Sequence, residues 1–317
     1  MLGGRTIAVV VPCFNEAHIV ERVIETMPAF VDRIIAVDDA STDGTASVLQ
    51  ECKDRSGSKL EVVNHERNEG VGGAIVSGYR RALETGFEVI AVMGGDGQMA
   101  PEDLASVCGP VVDGRADYAK GNRLFTGEAW HNMPRYRYIG SLFLSLFTKI
   151  ASGYWHVADS QSGYTAIDGK VLRQIDSASL YRHYGFPNDL LIKLNVVDAS
   201  VSDVPIKAVY GVGEKSGIRV WRMAPRLLVL LVLGFYWRLL QKYVIRNFHP
   251  IVFFYMAGLT LLPAGLAFGM ALAIFRLLEG PVADTSALLA AVLLVSGLQF
   301  LLFAMWLDYS ENARLRS

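Results

Sequence analysis

Apolar residues follow two regimes along this chain. Up to about residue 215, short apolar runs alternate with mixed segments. "TIAVVVP", "RIIAVDDAS", "KLEVVNHE" and "FEVIAVMGGD" are nearly uninterrupted, as strands covered on both faces must be. Between them, "NEAHIVERVIETM", "DGTASVLQECKDR" and "GVGGAIVSGYRRALETG" repeat apolar residues at helical spacing. This βαβα order predicts an α/β domain with an open, mostly parallel sheet. Later the pattern changes. No charge interrupts Pro250 to Phe275 or Ala287 to Trp306, and each run is long enough as a helix to cross a hydrocarbon core of about 30 Å. "RLLEGPVADT" between them has the charge, Gly and Pro of an exposed hairpin.

Two spans place both ends of the hairpin on one side. Arg238, Lys242 and Arg246 before it, and Arg314 and Arg316 after it, favour the cytoplasmic side; Arg276 in the opposite loop weakens that signal. Upstream, "RVWRMAPRLLVLLVLGFYWRLLQKYVIR" has an uncharged core, Leu227 to Trp237, too short to span. Bracketed by Arg219, Arg222, Arg226 and Arg238, it suits the headgroup layer, with a core helix as the alternative. "YRYIGSLFLSLFTKIASGYW" leaves the same two readings open. The expected organisation is a cytoplasmic domain over 1–217, an interfacial helix region over 218–247, a two-span hairpin over 248–310 and a tail over 311–317.

Composition changes this picture little. The chain is 317 residues long and 52% hydrophobic, with a formal net charge of −1, so no basic field points to nucleic acid. The three cysteines, Cys13, Cys52 and Cys108, are scattered and read as reduced thiols. The opening apolar run is too short for a signal peptide. No HExxH or similar histidine pairing suggests zinc, and "GVGGAIVSG" lacks the Gly-Lys-Ser/Thr ending of a phosphate loop. Its glycines are expected to allow close packing at a helix start.

Candidate chemistry lies in "PCFNE", "DDASTDGT" and "GGDGQ". All three follow apolar strands, and in open α/β sheets ligands bind beyond the carboxyl ends of the strands. Asp38 and Asp39 suit ribose hydroxyls, since a carboxylate accepts two hydrogen bonds; Asp43 is the better helix-cap candidate.

With "VVPCFNEAHIV", "AVDDASTDGT", "GDGQ", "GNR" and two C-terminal spans, the chain resembles family 2 glycosyltransferases of the polyprenyl-phosphate type over nearly its full length. The resemblance implies a GT-A (Rossmann-like) nucleotide-sugar-binding domain. It also implies inverting transfer of a sugar from a nucleotide donor to undecaprenyl or dolichyl phosphate at the cytoplasmic leaflet, most simply of a prokaryotic plasma membrane. Pro12, Asn15 and Glu16 would line the nucleotide pocket, and Asp38 and Asp39 would hold base and ribose. Arg123 and Arg137 (or Arg135), with Ser141, would meet phosphates, where an arginine fork donates bidentately. Asp159 and Gln161 in "DSQSGYTAI" and Asp189 in "GFPND" would sit near the sugar. The chain departs from the family late in the domain. An arginine expected five residues after "VPI" is Gly211, and the lysine is displaced to Lys215, carried as an acceptor-phosphate contact.

Gly94 stands where the first carboxylate of a metal-binding DxD is expected, leaving Asp96 and Gln98 as the metal residues. Mg2+ or Mn2+ fits such a site when the donor diphosphate supplies oxygens, and the nucleotide-free protein is expected to hold metal weakly. The lipid phosphate is already ionised at neutral pH, with a second pKa of about 6, so no strong base is needed. "GDGQ", "KGNRL" and "DSQSGYTA" look closer to users of UDP-sugars than to GDP-mannose enzymes. A processive synthase is disfavoured because no QxxRW is present. A membrane-tethered binding protein without catalysis is the rival that Gly94 prompts. Oligomeric state is unreadable from sequence, so a homo-oligomer stays open.

Overall fold

The computed structural model describes residues 1–124, 135–207 and 220–317, without the side chains of residues 135–139, 141 and 220–222. Strands β1 (Ile7–Cys13), β2 (Arg33–Asp38), β3 (Leu60–Asn64), β4 (Val89–Val92), β5 (Tyr118–Asn122), β6 (Thr165–Asp168) and β7 (Val201–Pro205) form one seven-stranded sheet, ordered β3-β2-β1-β4-β6-β5-β7. β6 runs against both its neighbours, β4 and β5, and all other pairings are parallel. The sheet is therefore mixed but mostly parallel, and the ends of β1, β2, β4 and β5 share one edge.

Both faces of β1 are buried, which explains its unbroken apolar run. Ile7, Val9 and Val11 pack with helices α1 (Val20–Glu25), α2 (Thr45–Ser56) and α4 (Leu104–Val112). Ala8 and Val10 pack on the other face, with α3 (Val71–Glu84) and with Leu190 and Leu194 of α6 (Phe186–Val196). The glycines of α3 serve close packing, as expected. A Cβ on Gly72 would lie 2.7 Å from the carbonyl carbon of Arg182, and one on Gly78 would collide with Val10. The three cysteines are free and buried.

α1 is much shorter than the periodicity of residues 15–27 predicts. Asn15 has φ +59°, and the stretch before α1 bonds to the neighbouring loop instead of to its own helix. Helix α5 (Arg135–Ser152) also departs from a simple core helix. Ser145 and Thr148 are buried whereas Leu142, Phe143, Leu146 and Phe147 are exposed. Helix α7 (Val220–Leu240) contributes Leu231 to a small core with Ala151 and Ile192, while Val229, Leu233 and Tyr236 are exposed.

The chain packs as two units, Met1–Tyr236 with Leu315–Ser317, and Trp237–Arg314. In the first, Leu315 is buried in the core and Arg316 forms a bridge with Val201 of β7. In the second, the end of α7 continues through a π-helical stretch, Gln241–Arg246, to α8 (Ile251–Leu278) and α9 (Asp284–Asn312). Small residues let α8 and α9 approach closely: a Cβ on Gly297 would lie 2.7 Å from the Leu262 Cα.

Two sequence expectations bear on this unit. Among the described residues three stretches are long and apolar enough to cross a membrane: Met223–Arg246, Ile251–Leu278 and Asp284–Leu315. The upstream helix continues past Trp237 because Arg238 does not break it. Nor are Arg238 and Lys242 free positive flanks. Arg238 donates to both Asp308 oxygens at 2.9 and 2.8 Å, the Tyr243 hydroxyl donates to Asp308 at 2.6 Å, and Lys242 donates to Asn312 Oδ1 at 2.8 Å. All five side chains are buried, so the cost of burying the charges is offset by pairing.

Candidate active site

Between β1 and β4 the strand order reverses, and in open α/β sheets that is where ligands bind, beyond the strand ends. Backbone bonds continue the pairing past the strands: Asp39 N donates to Cys13 O at 2.9 Å and Gly95 N to Pro12 O at 3.1 Å. "PCFNE" is thus held between "DDAST" and "GGDGQ". Asn15 Oδ1 accepts from Thr42 N at 2.8 Å, Asn15 N donates to the Ser41 hydroxyl, Glu16 N to that of Thr45, and Ala17 N to Asp43. Asp43 also caps Thr45 N at 3.0 Å. In this arrangement Asn15 is a clamp between two loops.

Asp38 and Asp39 have different environments. Asp39 accepts from Glu69 N and Gly70 N, both at 2.8 Å, and its Oδ1 lies 2.7 Å from His65 Nδ1. His65 Nε2 lies 2.9 Å from the Ser77 hydroxyl. Asp39 is therefore committed to fixing the start of α3. Asp38 is 3% exposed, Ser41 N reaches its Oδ2 at 3.4 Å, and its Oδ1 has no described hydrogen-bond partner. A buried carboxylate oxygen with no described partner at a strand end is placed to accept from a ligand donor.

In "GGDGQ", Asp96 is half-buried and its Oδ1 accepts from Gln98 N at 3.1 Å. A Cβ at Gly94 would lie 2.9 Å from that oxygen, so the glycine leaves room beside Asp96. Burial, followed by the charges of Asp38, Glu16 and Asp96, pushes the Cys13 thiol up. Carboxylates from all three loops thus act on one buried thiol. Burial and then Asp96 also raise the Glu16 carboxyl above its ordinary range. Among the described residues no three His, Cys, Asp or Glu side chains gather as a metal cage. This donor set fits a cation that takes most of its oxygens from a diphosphate and water.

A second cluster lies at the end of β5. Asp159 accepts from Arg123 Nε at 2.7 Å and Nη2 at 3.2 Å, and from Gln161 N and Ser162 N. Asp159 is 4% exposed and Arg123 32%, so the carboxylate aims an arginine that still reaches solvent. Burial alone would raise Asp159; the charge and hydrogen bonds of Arg123, with Lys120, outweigh it and hold the carboxyl below the usual range. Gln161 donates to Asn188 Oδ1 at 3.0 Å, and Asn188 donates to Thr148. Asp189 accepts from Tyr181 N at 2.8 Å and from Lys193, pinning the approach to α6. Lys215 lies outside the described residues. Arg137 and Ser141 fall on α5, but their side chains lie outside the description.

Sequence reasoning missed Lys120 and Asp203. Lys120 is fully buried and donates to the Ser162 carbonyl. It pairs in register with Asp203 of β7, which accepts from Asn122 at 2.7 Å. Burial pushes the Lys120 ammonium down to about 8, against the pull of Asp159. The available signal was charge inside strands: Lys120 in "YAKGN" and Asp203 in "VSDVP" interrupt otherwise covered segments.

Carboxylates on three loops at the switch point of a mostly parallel sheet, with an arginine held by a buried aspartate at the end of β5, fit a domain of the GT-A type. The chain belongs to glycosyl transferase family 2, whose profile matches residues 8–176, and it is a glycosyltransferase. It is 30% identical over 221 residues to the UDP-N-acetylglucosamine–dolichyl-phosphate N-acetylglucosaminyltransferase of Methanococcus voltae, covering 66% of this chain and 88% of that one. It is 31% identical to the polyprenol monophosphomannose synthase of Mycolicibacterium smegmatis, covering 67% and 82%. In fold it is similar to glucosyl-3-phosphoglycerate synthase of Mycobacterium tuberculosis, solved with Mn2+, UDP and glucosyl-3-phosphoglycerate. That match has a TM-score of 0.53 and 20% identity and covers 74% of this chain and 80% of that one.

Proposed function

We propose that this enzyme transfers a sugar, with inversion, from a nucleotide-sugar donor to a polyprenyl phosphate, making a lipid-linked monosaccharide. The observation that carries the acceptor is what the two named relatives share: both act on polyprenyl or dolichyl phosphates, while their sugars differ. A UDP-sugar is the favoured donor, from "GDGQ" and the Methanococcus relative. The Mycolicibacterium relative, a monophosphomannose synthase by name, supports a second reading, a mannose donor.

A lipid acceptor requires a membrane, and the apolar surfaces support one. α5 buries Ser145, Thr148 and Ser152 and exposes Phe143 and Phe147, the reverse of a water-facing helix. Leu315–Ser317 belong to the same unit as the sheet. The intervening chain therefore crosses the membrane an even number of times. With three candidates, we assign the crossings to α8 and α9. α7, which contributes Leu231 to the core of the catalytic unit, lies in the headgroup layer. The catalytic unit is assigned to the cytoplasmic side of a prokaryotic plasma membrane.

At the site, Asp38 offers Oδ1 to the nucleoside, and Pro12 and Glu16 line the nucleotide pocket. Arg123, aimed by Asp159, stabilises phosphate charge as the donor bond breaks. Arg137, Ser141 and Lys215 are proposed to add phosphate contacts, and Gln161 and Asp189 to shape the sugar pocket. A Mg2+ or Mn2+ ion, held by Asp96 with Gln98 beside it, supplies charge neutralisation for the leaving diphosphate when bound. The acceptor oxygen is already anionic, so no residue is assigned as a strong base.

Detergent-purified protein incubated with labelled UDP-sugars or GDP-mannose, undecaprenyl or dolichyl phosphate, and Mg2+ or Mn2+ should yield a lipid-linked sugar. No product with any pair sinks the proposal. Asp96→Ala should abolish turnover; an unchanged rate rejects its metal role.

A further inference from the structure

We propose that the outward face of α9 is the contact surface for a second copy of this chain, with Gln299 at its centre. The proposal rests on the membrane reading above. Val295, Leu298, Gln299, Leu302, Phe303 and Trp306 line a shallow groove of about 600 Å³ along one side of α9. The opposite side carries Ala290, Gly297 and Ala304, which are buried within the hairpin. α9 thus has one small-residue face already packed and one bulky face left open, where Val295 is 65% and Trp306 58% exposed.

Gln299 does not belong on a face that meets only lipid. Thr285 to Leu307 is free of charge. At 1.5 Å per residue, Gln299 lies roughly 21 Å from one end of that stretch and 12 Å from the other. No described residue hydrogen-bonds its side chain, and hydrocarbon offers no water to do so. A carboxamide both donates and accepts. Two copies related by a twofold axis can therefore exchange a reciprocal pair through the same residue.

The spacing around it also fits a helix pair. Val295, Gln299, Leu302 and Trp306 recur at intervals of four, three and four, the seam of a left-handed crossing. A polar residue within such a seam fixes register, because any slip leaves it unpaired. A lipid chain would fill the groove yet leave the carboxamide unsatisfied, which is why the second copy is the assigned occupant.

The test uses the full chain in proteoliposomes, labelled for energy transfer between copies, across a range of protein-to-lipid ratios. Wild type should associate, and Gln299→Leu should weaken association about tenfold, since interhelical polar contacts are worth roughly 1–2 kcal/mol. Leu302→Cys should form a disulfide-linked dimer under oxidation. The proposal is overturned if wild type stays monomeric at every ratio, if Gln299→Leu associates equally well, or if Leu302→Cys never cross-links in associating protein. Alkaline carbonate extraction and lipid-linked sugar synthesis are measured on the same samples. Release from the bilayer defeats the membrane reading, and membrane-bound protein without product defeats the transfer reading. Association of inactive protein through Gln299 still supports the dimer.

Discussion

Replacing Asp159 by asparagine preserves its shape and removes its charge. One carboxylate oxygen becomes an NH2 facing donors, where the native pair accepts from Arg123 Nε at 2.7 Å, Arg123 Nη2 at 3.2 Å, Gln161 N at 3.1 Å and Ser162 N at 3.2 Å. Lys120 then loses the charge of Asp159 and keeps that of Asp203, whose own Oδ1 already lacks a described partner. Breaking a buried pair costs roughly 3–5 kcal/mol. The lower figure applies because Arg123 reaches solvent, and about 3 kcal/mol lowers the melting temperature of a unit this size by roughly 6–12 °C. Misplacing the guanidinium should also slow sugar transfer, by about a hundredfold if it acts as a charge stabiliser.

Thermal melts of detergent-purified protein and initial rates of lipid-linked sugar synthesis measure the two effects separately. Adding Lys120→Met to Asp159→Asn removes one uncompensated cation, so the double variant should recover part of the melting loss without recovering rate. The Asp159 carboxyl is held below its unfolded value of about 4. Its stabilisation is therefore complete above that value and lost as pH falls through the folded one, so variant and wild type should converge in acid. A melt within about 2 °C of wild type and a rate within twofold would refute the reasoning, given the 1–2 °C per half kcal/mol expected.

Other perturbations read separate parts of the molecule. Asp38→Asn should weaken UDP binding about tenfold, or 1.4 kcal/mol, measured by calorimetry, with no loss in the nucleotide-free melt, because the affected oxygen has no described partner; equal affinity would remove Asp38 from the nucleotide site. Lys120 titrates near 8 when folded against 10.5 as its ordinary value. Burying its charge opposes folding below about pH 8, and the penalty is relieved as pH rises toward 10.5. Denaturation of Lys120→Met between pH 7 and 10 should therefore show a flatter stability profile than wild type. Gly78→Ala drives a methyl into Val10 and should cost about 1–3 kcal/mol by overpacking; unchanged nucleotide affinity alongside a lower melt would confine the damage to the helix–sheet contact.

The meeting of the three strand-end loops was legible because its signal is local. "PCFNE", "DDAST" and "GGDGQ" each follow an apolar run, and strand ends in a parallel sheet face one way, so three loops found separately must converge. The roles within them were not legible. Asp38 and Asp39 are adjacent and chemically identical, yet one is consumed by Glu69 N, Gly70 N and His65 and the other keeps an oxygen with no described partner. Which is which depends on partners about thirty residues away, brought in by the turn before α3. Likewise "DSQSG" announced a carboxylate but not that Arg123, 36 residues earlier, would take it up.

Sequence alone determined the alternation of strand and helix, the strand-end loops and the two long apolar runs, because period and length act along the chain. Only the tertiary structure decided that β6 runs against its neighbours, that Lys120 meets Ser162 under the site, and that Arg238 is neutralised by Asp308. These are contacts between segments 42 and 70 residues apart. Burial makes each of them obligatory: a charge inside a sheet or an apolar hairpin must find its counterpart, and which residue supplies it is settled by packing.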